Sequence, residues 1–254
     1  MVKGLLAGEP CVVIAIEGAF QGGGIEEVSG AKAACALQLA AEDCRAGRPV
    51  SAVILLETRG VRLQEATLAL NAVAEVLAAV IELRALRPVV GVAAGPLGCF
   101  GGMSIAAGLC SRMIMTHEGR LGLNGPEVIE SEAGVAEFDS SDRALVWQVR
   151  GGKQRYTTGL ADALVVDAVP AVRHAVITAV AAGVPPQHRS EQIAMLVDRM
   201  RHDDRAGVRW RDLQQHARDR FSLPDLGIPP APSPGDGTLA ASELTSMQNR
   251  GAVS

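Results

Sequence analysis

The sequence predicts an α/β fold with mainly parallel strands, and three observations carry that prediction. Continuous β-branched runs such as Cys11–Ile16 mark strands buried on both faces. Alanines and leucines at helical spacing separate one run from the next, the pattern of βαβ units. Glycine-rich or polar turns fall where strands end and helices begin, the positions at which such folds place ligands.

Cys11–Ile16 is the first strand, and Gly18-Ala-Phe-Gln-Gly-Gly-Gly24 is the turn after it. Glu26 to about Gly47 reads as a helix, with Gly47 just past its end. Ala52–Leu56 is the next strand, and it enters the polar turn Glu57-Thr-Arg-Gly60. Gln64 to about Leu86 is a second helix, with Leu68, Val73, Leu77 and Val80 placed for a buried face. Val89–Ala93 is a strand, followed by a glycine loop, a helix from Gly102 to Leu109 and the short strand Arg112–Thr116. Short helices are expected at 140–149, 154–159 and 170–182, and a long charged one at 190–221. Proline, glycine and serine dominate from Leu223 on. The expected organisation is one domain over 1–222 and a flexible tail over 223–254.

With 48% hydrophobic but only 3% aromatic residues, the core must be built from Ala, Val, Leu and Ile. A net charge of -4 argues against a nucleic-acid partner. The five cysteines make no Cys-x-x-Cys pair and no zinc spacing. They read as reduced, mostly packed thiols, with no metal site, in a cytoplasmic protein. No secretory signal is expected, since Met1-Val2-Lys3-Gly4 leads straight into strand-like sequence. Pro88–Cys110 carries no charge and could span a bilayer by length, but Pro96 and its glycines break it. A strand, a loop and a buried helix explain it better, so no membrane association is expected.

Two turns suit an anion, Thr58-Arg-Gly-Val-Arg62 and Gly98-Cys-Phe-Gly-Gly102. Glycine lets a ligand approach the backbone, and a turn feeding a helix presents free N–H groups in a positive field. Neither turn carries a phosphate-loop or dinucleotide signature. That these glycines serve only close helix–sheet packing stays open at this point. Side-chain chemistry is sparse. None of the five histidines, His117, His174, His188, His202 and His216, lies in a glycine turn. Cys99 has no histidine near it in sequence and reads as a buried thiol. Ser104 reads as a capping or packing residue, without a G-x-S-x-G elbow. Backbone donors without nucleophiles suit chemistry in which charge stabilisation does most of the work. Decarboxylation of a β-keto-type thioester through an enolate fits.

Several segments resemble a known family. Gly60-Val-Arg-Leu-Gln-Glu-Ala66 resembles the Gly-Ala-Arg-Met-Gln-Glu-Gly motif of carboxyltransferase β subunits in the crotonase superfamily. Phe100-Gly-Gly-Met-Ser-Ile-Ala106 is similar to their second oxyanion turn. Leu121-Gly-Leu-Asn-Gly-Pro-Glu-Val-Ile-Glu130 is similar to malonate decarboxylase β subunits in particular. So are Glu137–Trp147, Gly151–Tyr156 and Gly159–Leu164. The resemblance covers about residues 10 to 175.

The resemblance implies a crotonase-like (ClpP/crotonase) ββα superhelix with mainly parallel strands. It implies an oxyanion hole formed by backbone N–H groups around Gly60-Val61 and Gly101-Gly102. Arg62 and Gln64 would brace the first turn or touch the substrate arm. Gly22, Gly23 and Gly24 would line the thioester pocket, and Asn124, Pro126 and Glu127 would shape the neighbouring wall. The substrate would be malonyl on the phosphopantetheine-type arm of an acyl carrier protein subunit, with no cofactor bound by this chain. A homologous γ subunit would complete the site, and an acyl carrier protein transferase subunit would recharge the product with malonate. The alternatives are a biotin-dependent acyl-CoA carboxyltransferase β subunit and a non-catalytic scaffold of the same fold. Two departures stand out. Relatives carry a longer segment before the first strand, and they have Gly-Gly where this chain has Arg59-Gly60.

Overall fold

The computed structural model describes residues 1–202, of which Met1–Leu196 form one compact unit. The strands are β1 (Val2–Leu6), β2 (Glu9–Ile16), β3 (Ser51–Leu56), β4 (Val89–Ala93), β5 (Arg112–Thr116) and β6 (Ala163–Val165). They form one sheet in chain order. β1 and β2 are an antiparallel hairpin, and every later neighbour pair is parallel. The helices are α1 (Glu27–Arg45), α2 (Thr67–Arg84), α3 (Gly102–Leu109), α4 (Pro126–Ala133), α5 (Arg143–Arg150), α6 (Gly152–Thr157), α7 (Val169–Ala181) and α8 (Ile193–His202).

Period-2 alternation sends neighbouring strand residues into different cores. Ala52 and Ile54 join the cluster packed by α1, α2 and α3. Val53, Val90, Val92 and Ile114 join a second cluster with Val176, Ala179 and Val180 of α7. Every residue of β4 is buried, as its unbroken apolar run requires. Small residues let α1 and α2 approach closely: a Cβ on Gly30 would meet Ala72 Cβ at 2.6 Å. That closeness explains how a core poor in aromatics still fills its volume. The apolar run Pro88–Cys110 resolves into β4, a loop and α3, and no described helix is long and apolar enough to cross a membrane.

Several expectations need correction. The second helix begins at Thr67, not Gln64, because Leu63–Glu65 is a separate 3-10 turn and Ala66 breaks the path at φ 46°. Leu68 then faces solvent, and the buried face is Ala69, Ala72, Val73, Val76, Ala79, Val80 and Leu83, with Val73 and Val80 as expected. β1, β6 and α4 were not expected. The β1–β2 hairpin turns on Ala7 (φ 50°) and Gly8 (φ 91°), and Ala is an unusual residue at that first position. The charged helix expected at 190–221 begins at Ile193; its remainder beyond 202 and the tail at 223–254 lie outside the described residues.

Beyond the C-terminal ends of the parallel strands runs a second ladder of single bridges. Ile25 pairs with Val61, Thr58 with Cys99, Cys99 with Leu121, and Arg120 with Gly151. Each repeat thus gives a strand to the sheet, a short extended piece to this ladder, and then a helix. This is the ββα repeat of the crotonase fold, and the ladder sets the glycine turns side by side.

Candidate active site

Glu57, just past β3, ties three strand ends together. Its carboxylate accepts the Gly18 N–H after β2 (3.1 Å) and the Leu97 N–H after β4 (3.4 Å). A Cβ on Gly18 would lie 2.8 Å from the Glu57 Cδ, and one on Gly95 would lie 2.7 Å from its Oε1. Any larger residue at either place would push that side chain aside, and Gly95 also stands at φ 79°. Sequence reasoning saw Glu57 as a polar turn residue; its reach across two loops had no local signal.

The next residue shapes the first turn. Thr58 is fully buried, and its Oγ1 accepts the Gly60 N–H at 3.0 Å, a local side-chain-to-backbone turn. Gly60 stands at φ 119°, and its carbonyl accepts the Ile25 N–H at 2.9 Å. On the neighbouring turn, Gly101 stands at φ 66° and donates its N–H to the Leu123 carbonyl at 2.8 Å. The Gly60 and Gly101 amides are therefore occupied. The Val61 N–H and the Gly102 N–H have no acceptor among the described residues. Gly102 opens α3, where the first-turn amides have no intrahelical partner. The two turns touch: a Cβ on Gly101 would sit 2.8 Å from the Gly60 Cα. Ser104 fastens this corner, giving both its hydroxyl (2.7 Å) and its N–H (3.0 Å) to the Gly101 carbonyl.

A cleft of about 380 Å³ opens beside the first turn, lined by Gly22, Gly24, Arg59, Gly60, Val61, Arg62 and Gln64 among others. Gly23 is buried rather than exposed to this cleft, since a Cβ there would come within 2.0 Å of the Glu57 carbonyl oxygen. Arg62 ion-pairs with Glu26 at 2.8 Å and packs its stem against Gly24. Gln64 is exposed at the rim. Arg59 is also exposed, and no carboxylate among the described residues pairs with it. A somewhat larger cleft, about 420 Å³, lies at Leu6, Arg87 and Val180, away from every glycine turn, and carries no comparable set of donors.

Asn124, Pro126 and Glu127 do not line the cleft; they follow Leu123 on the far side of the Gly101 turn. Pro126 is buried at the start of α4, while Asn124 and Glu127 are exposed. Arg120 braces this side. It donates to the Pro96 carbonyl (2.5 Å) and lies over the Phe100 ring (5.7 Å) and the Trp147 ring (4.6 Å). Burial pushes its guanidinium below the usual arginine value, and Glu127 opposes that shift.

The side chains near the turns offer little nucleophilic chemistry. Cys99 is buried, and desolvation pushes its thiol far above the usual value. His188 is buried at the opposite end of α3, where Nε2 lies 3.0 Å from the Cys110 carbonyl.

A crotonase fold with facing glycine turns and free backbone amides defines the crotonase-like carboxyltransferase class. The chain belongs to the carboxyl transferase domain family, whose profile matches residues 2–210. It is 43% identical over 186 residues to the malonyl-S-ACP:biotin-protein carboxyltransferase MADC of Malonomonas rubra, which covers 67% of this chain. The chain spans 58% of the length of that relative. It is 55% identical to a chain of a Pseudomonas malonate decarboxylase hetero-tetramer solved with malonate, with a TM-score of 0.77. That match covers 82% of this chain and 77% of the other. A Pseudomonas malonate decarboxylase MdcD-MdcE hetero-dimer contains a similar chain, 55% identical with a TM-score of 0.71, covering 78% and 82%.

Proposed function

We propose that this chain is the β subunit of a malonate decarboxylase and acts on malonyl-S-acyl carrier protein. The observation that carries the reading is the pair of unoccupied amides, Val61 N–H and Gly102 N–H, on turns in direct contact. In the reaction the bond between the methylene and the carboxylate breaks. Carbon dioxide leaves without the bond's electron pair, which stays on the methylene carbon and delocalises into an enolate whose charge rests on the thioester oxygen. Val61 N–H and Gly102 N–H donate to that oxygen, each worth about 3 kcal/mol by the scale of other oxyanion donors. A proton then adds to the methylene carbon and gives the acetyl thioester. Gly60 and Gly101, with their own amides bonded internally, hold the shape of the hole.

Arg62 braces the first turn through Glu26, and Gly22, Gly24 and Gln64 border the arm's path. Gly23 supports the pocket from behind, and Asn124, Pro126 and Glu127 follow Leu123, whose carbonyl holds the Gly101 turn. The chain holds no cofactor of its own; the phosphopantetheine-type arm arrives on the acyl carrier protein subunit. The cleft is open, which suits completion by a γ subunit in a cytoplasmic hetero-oligomer, with a transferase subunit recharging the carrier. The hetero-oligomers of the Pseudomonas relatives support that assembly.

A second reading has its own support: the MADC relative is a biotin-protein carboxyltransferase. The enolate step would be shared, and the carboxyl group would pass to biotin instead of leaving. The deciding experiment is carbon dioxide release from malonyl-carrier protein by this chain with its γ partner, with biotin blocked by avidin. Release that needs both chains supports the decarboxylase. Carboxyl transfer that avidin abolishes supports the second reading.

A further inference from the structure

The helix that opens at Gly102 is gripped at its other end by cationic side chains. The Leu109 carbonyl accepts from Arg84 Nη1 at 2.7 Å. The Gly108 carbonyl accepts from Arg189 Nη1 at 3.0 Å, and the Cys110 carbonyl accepts from the same nitrogen at 2.7 Å. His188 Nε2 also lies 3.0 Å from the Cys110 carbonyl. On the other side of its ring, Nδ1 receives the Ser190 N–H at 3.1 Å. Arg84 Nη1 lies 3.0 Å from Nε2 and 3.1 Å from Nδ1, and a cation so close favours the neutral ring. Arg189 is held in turn by an ion pair with Asp162, whose Oδ2 accepts the Met113 N–H at 2.6 Å. The clamp draws on α2, β5, the approach to β6 and the turn at 189–191, all fixed to a helix of only eight residues.

A helix carries partial negative charge on its terminal carbonyls and partial positive charge on its first amides. Over eight residues these ends are separated by about 12 Å, close enough for one to offset the other. Two guanidiniums bound to the negative end, one of them shared with Asp162, offset it and leave the positive end less opposed. We infer that Arg84 and Arg189 are positioning residues for the reaction, acting through α3 to raise the positive field at the Gly102 N–H. The inference rests on the assignment of that amide to the enolate oxygen under Proposed function. It adds that the donor's strength is set at the far end of the helix.

The test uses the assembled complex with malonyl-carrier protein as substrate, comparing Arg84→Met, Arg189→Met, the double variant and Arg189→Lys. The double variant should lose about 10-fold or more in kcat with KM within twofold, because the field acts on charge that appears in the transition state. Arg189→Lys should recover most of the loss. Amide exchange at Gly102 supplies a readout independent of turnover. Base-catalysed exchange passes through an anion, so a weaker positive field slows it. Mere fraying of α3 would instead speed exchange along the whole helix. Slower Gly102 exchange together with lower kcat supports the inference. Unchanged kcat, or faster exchange throughout α3, overturns it. If the wild-type complex releases no carbon dioxide, the functional reading fails, while the Gly102 exchange rate still decides whether the clamp tunes the amide.

Discussion

Gly60 and Gly101 face each other across two separate loops, so closely that a Cβ on Gly101 would lie 2.8 Å from the Gly60 Cα. Both stand at positive φ, 119° and 66°. The contact joins the turn after β3 to the turn after β4 and leaves the amides of the following residues free. Substituting Gly101 by Val should therefore reduce turnover at least 100-fold, since both φ and contact are lost. Circular dichroism and complex assembly should stay native. Retained turnover in an intact complex would favour the scaffold reading.

Thr58 supplies the only bond to the Gly60 amide among the described residues. Thr58→Val keeps the shape and removes the acceptor. About 1 kcal/mol of stability should go with it, read as a lower urea midpoint. Turnover should fall more than stability does, while Thr58→Ser should restore both.

The Arg62–Glu26 pair is partly exposed, with side chains at 32% and 25%. Solvent screening limits its worth to less than about 1 kcal/mol. Arg62→Met should change thermal stability little. If Arg62 only braces the turn, kcat will fall modestly at constant KM; a rise in KM for the carrier-bound substrate would mean direct contact with the arm.

Small residues between α1 and α2 set a different limit. Gly30→Val would drive a side chain into Ala72, whose Cβ would be only 2.6 Å from the new Cβ. Overpacking of this kind costs about 1–3 kcal/mol or more. The unfolding midpoint should drop accordingly, with the activity of the remaining folded protein unchanged.

His188 makes stability depend on pH. Burial holds its pKa below 6.5, with the charges of Arg84 and Arg189 adding to the shift, while the Cys110 carbonyl and Glu191 oppose it. The unfolded chain therefore binds the proton more readily than the native one. This contribution is complete above pH 6.5 and is lost as pH falls from 6.5 toward the lowered native value. Urea midpoints should decline between about pH 7.5 and about pH 5.5, and His188→Gln should flatten that decline. An unchanged slope in the variant would assign it to other groups.

Patterns confined to neighbouring residues were legible in the sequence. The β-branched runs at Cys11–Ile16, Ala52–Leu56 and Val89–Ala93 are strands, and the segment Gly102–Leu109 is a helix with the bounds its pattern implies. These follow from local burial and backbone sterics, which composition and spacing record directly. The glycine turns were legible too, because positive φ restricts residue choice. Which of their amides remain free was decided only by the tertiary structure. Gly60 is satisfied by Thr58, and Gly101 by Leu123, a residue from a different repeat. Likewise the convergence of Arg84, His188 and Arg189 on one helix end joins residues about a hundred positions apart. Hydrogen-bond satisfaction depends on distances across the fold, and no local pattern in the chain encodes those distances.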